Sequence, residues 1–172
     1  VLCNIYLAKG VDIIYRKTKK IIVLFIFLIA VIFIFMLGRS YRYLKVPNPE
    51  ELSSIILIDV IGNKCVQKTI IYQELDINNM LDILVNSRKT SKQSTSQFPG
   101  KTKFSAVFFK FKSGGTSWKS IYEEEGNSYI HEPFVGIFKL DSNDSHMLDK
   151  IIKRGNREDI SIPVENIFKI NF

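Results

Sequence analysis

Two cysteines, two histidines, one tryptophan and five prolines are all that the 172 residues contain of those types. The scarcity of thiols and imidazoles limits the available chemistry. Neither His131 nor His146 belongs to a His-x-x-x-His or Glu-x-x-His pair, and Cys3 and Cys65 are too few for a thiolate cage, so no metal ligand set is present. A Gly-x-Ser-x-Gly elbow is missing as well. Gly114-Gly115 has neither the strand-to-helix context nor the lysine of a phosphate loop, and reads as a hairpin turn. The body of the chain also lacks excess positive charge. The net charge is +7, but from Val46 onward 16 basic residues meet 16 acidic ones. The surplus lies in Lys9, Arg16, Lys17, Lys19, Lys20, Arg39, Arg42 and Lys45. A neutral body has no electrostatic footprint for nucleic acid, which is excluded as a partner.

What is present is apolar. Residues make up 46% hydrophobic types, enough for a core. Residues 21–38, IIVLFIFLIAVIFIFMLG, contain neither charge nor amide, and as a helix they reach about 27 Å, close to the hydrocarbon thickness of a bilayer. Tyr15, Tyr41 and Tyr43 flank the run as interfacial rings. A buried core helix is a poor alternative, because a chain of this size could hardly surround a helix apolar on every side. A cleaved signal peptide is the stronger rival. The run exceeds the usual ~7 to 15 apolar residues, however, and MLGRSYRY offers no small-x-small cleavage site. An uncleaved transmembrane anchor is therefore expected. Five basic residues before it against three after it keep the N-terminus in the cytoplasm. The expected layout is a basic cytoplasmic tail (1–20), one span (21–38), a Pro47/Pro49-stiffened spacer (39–50), an extracytoplasmic domain (51–154) and a tail (155–172). The cell membrane is the expected location. Cys3 and Cys65 then lie on opposite sides of the bilayer and cannot pair, and Cys65 reads as a small buried hydrophobe.

In the outer domain, residues 52–60 and 65–72 are β-rich runs joined by Ile61-Gly62-Asn63-Lys64, a hairpin. Ile77, Met80, Leu81, Leu84 and Val85 fall at helical spacing behind a possible Asp76 cap, predicting a helix to about Arg88. Residues 86–103 carry one large apolar side chain and read as a long loop, either a mobile connector or functional. A three-stranded meander follows over residues 102–132, with turns at 113–116 and 124–127. After Pro133 a short extended piece, 135–140, leads to a second helix capped by Asp141 or Ser142, with Met147, Leu148, Ile151 and Ile152 on one face. The fold class is α+β: an antiparallel sheet in the order ββα-βββ-α, two packed helices, and a transmembrane helix in front. The alternating apolar residues after Gly155 predict either an added edge strand or a tail that pairs with a partner's sheet.

Candidate chemistry is sparse. His131, in YIHEP, reads as a half-exposed strand residue. Asp141-Ser142-Asn143-Asp144-Ser145 mimics the start of a calcium loop, but its sixth and twelfth positions are His146 and Ile152, where the bend glycine and bidentate glutamate belong. Glu123-Glu124-Glu125 sits at a hairpin turn, where carboxylates are solvated and discourage edge pairing.

The stretches SRKTSKQSTSQFPG, SGGTS and YEEEGNSYIHEPFVGIFKLD resemble a family of Gram-positive extracytoplasmic domains of unknown function. Such domains stand behind a signal or anchor and at the end of some β-lactam-sensor-like membrane proteins. The resemblance spans residues 46–153 and rests on Pro47, Pro49, Thr90, Lys92, Ser94, Pro99, Gly114, Gly115, Tyr122, Glu123, Glu124, Gly126, Tyr129, Ile130, Pro133, Gly136 and Ile137. His131 departs from the polar or acidic residue expected there. The family implies no activity, metal or cofactor. Most of these positions are turn formers and core aromatics, whereas Thr90, Lys92 and Ser94 are polar loop residues, where recognition groups reside. With Tyr129 and Glu132 they form the candidate binding set. The expected function is non-enzymatic: a tethered sensor or accessory domain for a protein, peptide or cell-envelope ligand. The alternatives are an envelope enzyme using Glu123, Glu132 or His131, and a membrane-assembly subunit.

Overall fold

The computed structural model describes residue 22 and residues 25–33, 44–94 and 96–169. The chain divides into two units, Val1–Arg42 and Tyr43–Phe172. In the first, residue 22 and residues 25–33 are helical with exposed side chains. The remainder of the expected span, the basic tail 1–20 and residues 39–43 of the spacer lie outside the described residues. Among the described residues no helix is long and apolar enough to cross a membrane.

The second unit is an α+β domain. Its strands are β1 (Leu52–Ile61), β2 (Lys64–Ile71), β3 (Arg88–Lys89), β4 (Lys103–Phe111), β5 (Thr116–Glu124), β6 (Asn127–Glu132), β7 (Gly136–Lys139) and β8 (Asn156–Pro163). Helix α1 (Glu74–Val85) follows β2, α2 (Ser142–Arg154) follows β7, and 3-10 segments cover Pro49–Glu51 and Val164–Lys169. The strands form one sheet in the order β3-β7-β6-β5-β4-β1-β2-β8, and every pairing is antiparallel. The sheet thus contains three strands more than the expected ββα-βββ-α order. β3 is two residues inside the loop, β7 is the short extended piece, and β8 is the C-terminal tail.

Strand β1 explains the layering. Its run SSIILIDV is buried almost without interruption, because it lies between β2 and β4 with both faces covered. Ile55 and Leu57 face the helices and join Ile77, Met80, Leu81, Leu84, Phe109, Ile130, Phe138, Leu148 and Ile151. Ile56, Ile58 and Val60 face the other way, onto Phe104, Ala106, Phe108, Tyr122 and Ile167. Two short helices cover the first face. The second face is covered by irregular chain, the loop after β3 and the C-terminal 3-10 segment.

Aromatic rings make that cover. Phe98 of the loop stands 5.4 Å from Trp118, 5.6 Å from Phe104 and 5.9 Å from Phe168, while Phe168 lies 5.1 Å from Trp118. Each such pair contributes about 0.5–1.5 kcal/mol beyond the area it buries. The loop therefore packs as a lid on a core instead of running free. The tail likewise docks on its own domain: β8 pairs with β2, and Ile167 is fully buried.

The helix ends differ from the expected ones. α1 starts at Glu74, so Asp76 lies inside the first turn; it is buried and accepts hydrogen bonds from Arg154 at the end of α2, tying the two helices together. The helix stops at Val85 because Ser87 Oγ donates to the Leu84 carbonyl at 2.6 Å and the chain then enters β3. Asp141 holds the N-cap position of α2 without a side-chain cap bond; its carboxylate accepts from Arg88 at 3.4 Å instead. At the far end, Gly155 passes so close to β2 that a Cβ would stand 2.6 Å from Thr69 Cγ2 and 3.1 Å from the Ile70 carbonyl oxygen. Only glycine lets α2 turn into β8 there.

If the tail is an integral part of the core, Ile167→Ala should cost about 2–4 kcal/mol, the usual loss for truncating a buried isoleucine. Urea unfolding of the full chain measures this; a change within about 0.5 kcal/mol would match a surface substitution and show a tail that does not pack.

Candidate functional site

The loop residues singled out from the sequence converge on the face opposite the helices. Thr90 Oγ donates to the Ile137 carbonyl at 2.8 Å and accepts the Lys92 amide at 3.2 Å. Lys92 Nζ lies 2.8 Å from Glu124 and 5.3 Å from the centre of the Tyr129 ring, which is stacked on Tyr122. Lys101, at the other end of the loop, also bonds to Glu124 and lies over Tyr122. Its two lysine partners hold the Glu124 carboxyl at a pKa of about 2, and the bond to Glu124 raises that of Lys92. Glu132 is absent from this group. It points to the helix side, where it accepts from Lys119 Nζ at 2.6 Å. Burial lowers the Lys119 pKa, and the bond to Glu132 opposes that shift. Thr90, Lys92, Ser94 and Tyr129 are therefore brought together, and the polar groups of Thr90, Lys92 and Ser94 fasten the loop to the sheet.

Ser94 makes the deepest of these attachments. Its Oγ lies 2.7 Å from His131 Nε2 and accepts the Phe134 amide at 3.1 Å. His131 is only 2% exposed, not half-exposed as expected, because the loop covers its face of β6. Burial lowers its pKa, which keeps the ring neutral. Nδ1 has no hydrogen-bond partner among the described residues. A bare lone pair there costs less than a buried N–H without an acceptor, so we assign the ring proton to Nε2, donating to Ser94. The hydroxyl then accepts twice and turns its own proton toward the Ser96 carbonyl, 3.4 Å away. Through these contacts the pair latches the loop onto β6. The carboxylates of the enzyme alternative do not meet it, since strand alternation puts Glu123 and Glu132 on the helix side and His131 on the other.

A different site lies on the helix side, at the end of the sheet near the β1–β2 turn. A cavity of about 550 Å³ opens there between α2 and the strands, within the range typical of small-molecule sites. Directly opposed residues in an antiparallel sheet share a face, and the pairings trace one row across it: Asp159–Gln67–Asp59–Ser105–Ile121. Every member of the row lines the cavity. Apart from Lys119, Glu132 and Thr69, the sheet side chains buried on this face are apolar, so the polar row stands out. Ser105 Oγ donates to Asp59 at 2.6 Å, and Gln67 Nε2 donates to Asp159 at 3.5 Å.

A β-bulge makes the row possible. Asp59 and Val60 are neighbours in β1, yet they pair with Gln67 and Cys65, leaving Val66 as the extra residue. The insertion turns Gln67 toward the helix side while Cys65 stays on the opposite face, where burial raises its thiol pKa. Leu57 and Ile121 supply apolar wall from the sheet, Leu148 and Ile152 from α2, and Glu123, Asp149 and Lys103 add charge. Sequence reasoning missed this site. The available signal was Asp59, which continues the inward spacing of Ile55 and Leu57 and so puts a carboxylate where a core residue belongs.

The family model DUF5301, described as a domain of unknown function (DUF5300), matches residues 40–139. The chain belongs to this family. The DUF5301 region includes β1 to β7, α1, the Ser94–His131 latch and the strand-borne Asp59–Ser105 part of the cavity. Helix α2 and strand β8, which complete the cavity, follow it. Among curated proteins none matches the chain. A solved structure described as "NMR structure of the protein from Ruminococcus gnavus" is similar at 24% identity, over 61% of this chain and 98% of that one, with a TM-score of 0.49.

The latch has a pH dependence with a defined sign. Because the folded state holds the His131 pKa below its usual 6.5, the unfolded chain takes up the proton first on acidification. This contribution to stability is complete above about pH 6.5 and declines as pH falls toward the folded value. Urea midpoints of the full chain should drop between pH 7.5 and 5, and H131Q should flatten that drop. An equal drop in H131Q would assign the titration to another group.

Proposed function

We propose that this DUF5301 chain is a membrane-tethered, extracytoplasmic binding domain that takes a ligand non-covalently in the cavity between α2 and the sheet and acts as a sensor or accessory module. The cavity carries the reading: polar side chains on four adjacent strands converge on one space in a mostly apolar face. The apolar run at 21–38 with its basic flanks supports the tether and its orientation. The resemblance to Gram-positive envelope domains supports the outer side of the membrane. The loop residues Thr90, Lys92 and Ser94 serve this function indirectly, by closing the second face and keeping the sheet rigid beneath the cavity.

Topology and binding are separable. A cysteine at the exposed Ser113 position should react with a membrane-impermeant maleimide in intact cells; protection until lysis would reverse the orientation. Ser145→Trp, on the cavity wall of α2, should fill the cavity from its rim without touching the core. In ligand-observed NMR with a fragment set of amines, acids and neutral compounds, some fragments should bind the native chain and be lost in S145W. A set in which none distinguishes the two proteins would overturn the binding reading.

A further inference from the structure

We infer that the ligand of this cavity is an organic cation: an ammonium or guanidinium group on an aliphatic stem. The inference deepens the binding reading above and rests on it. Asp59, Glu123, Asp149 and Asp159 all line the cavity, and none of them forms an ion pair among the described residues. Four uncompensated carboxylates against the single Lys103 give the cavity a negative field, which attracts cations and repels anions.

Two further observations narrow the class. Among the described residues no three acidic, histidine or cysteine side chains lie close enough to hold a metal ion, so the negative charge is spread along the walls and not gathered into a cage. Between the charges lie Leu57, Ile121, Leu148 and Ile152, an apolar surface with which a bare ion makes no contact. An alkyl stem fills that space while its charged head reaches the carboxylates, the arrangement long cationic side chains adopt on apolar surfaces. The β-bulge at Val66 supports the same conclusion, since it turns Gln67 and hence the Asp159 row onto the cavity instead of burying an aliphatic side chain there.

The test uses the full chain in non-ionic detergent, with butylammonium, butanoate and butanol as probes of one size and different charge. Nα-acetyl-lysine methylamide supplies the same ammonium on a residue. Methyl resonances of Leu57, Ile121 and Leu148 report occupancy. Butylammonium should bind at least about tenfold tighter than butanoate, with an advantage that shrinks as salt screens the carboxylates. Asp149→Asn, exposed on α2 and harmless to the fold, should weaken the ammonium about threefold, as expected for a solvent-screened charge pair. Asp59→Asn, half-buried beneath it, should weaken it more. Tighter binding of the lysine derivative would mark a peptide-borne cation, and tighter binding of butylammonium a free amine; either supports the inference. If butanol or butanoate binds as tightly as butylammonium, or if both Asp variants bind as the native chain does, the cationic ligand is overturned while the cavity remains a binding site. If no probe binds, or if S145W binds all of them unchanged, the binding site itself fails.

Discussion

The domain is organised by a sheet whose central strands are apolar on both faces. β1 and β4 present isoleucine, leucine and phenylalanine to either side, so neither face can be left to water, and two layers must close over the sheet. Among its described residues the domain has two α-helices to place over them. Both go to one side, where the Asp76–Arg154 pair locks them to each other. The other side is closed by chain without regular structure, which succeeds because its contacts are aromatic: Phe98 from the loop and Phe168 from the tail bring large rings onto Trp118, Phe104 and Phe108. A few rings replace the many small contacts of a helix.

The remaining polar features follow from this layering. Loop residues that cover a core must satisfy their own backbone and side-chain groups, and the sequence around Thr90 to Ser94 does so through the Ile137 carbonyl, Glu124 and His131. Residues chosen as recognition groups because they are polar and lie in a loop are the residues that hold the loop down. The two readings are hard to tell apart from sequence, since a polar side chain fastening irregular chain to a sheet and one awaiting a ligand are the same residue types in the same kind of segment.

Much of the architecture was legible along the chain. The β1–β2 hairpin, α1, the meander from β4 to β6 and α2 follow from apolar spacing and turn residues, and the α+β class with an antiparallel sheet follows from their order. The misses have physical causes. β3 is two charged residues, too short for a period; β8 is the edge strand that the alternation after Gly155 offered as one of two readings, and it starts earlier than that alternation, at Asn156, Arg157, Glu158 and Asp159. His131 looked half-exposed because the cover over it comes from a segment 37 residues away. The cavity escaped because its row is assembled from five residues on five strands, in a register that includes a bulge. Only Asp59, a charge at an inward position, marked it locally.

Gly155 ties two of these features together. It is the single residue between the helix that walls the cavity and the strand that carries Asp159, and it is wedged against β2 so tightly that no other side chain fits. Any force that peels the C-terminal strand off the sheet, from a competing strand or a mechanical load, reaches the helix across a connection one residue long. The free edge of the sheet and the wall of the cavity are thus neighbours along the chain as well as across the sheet.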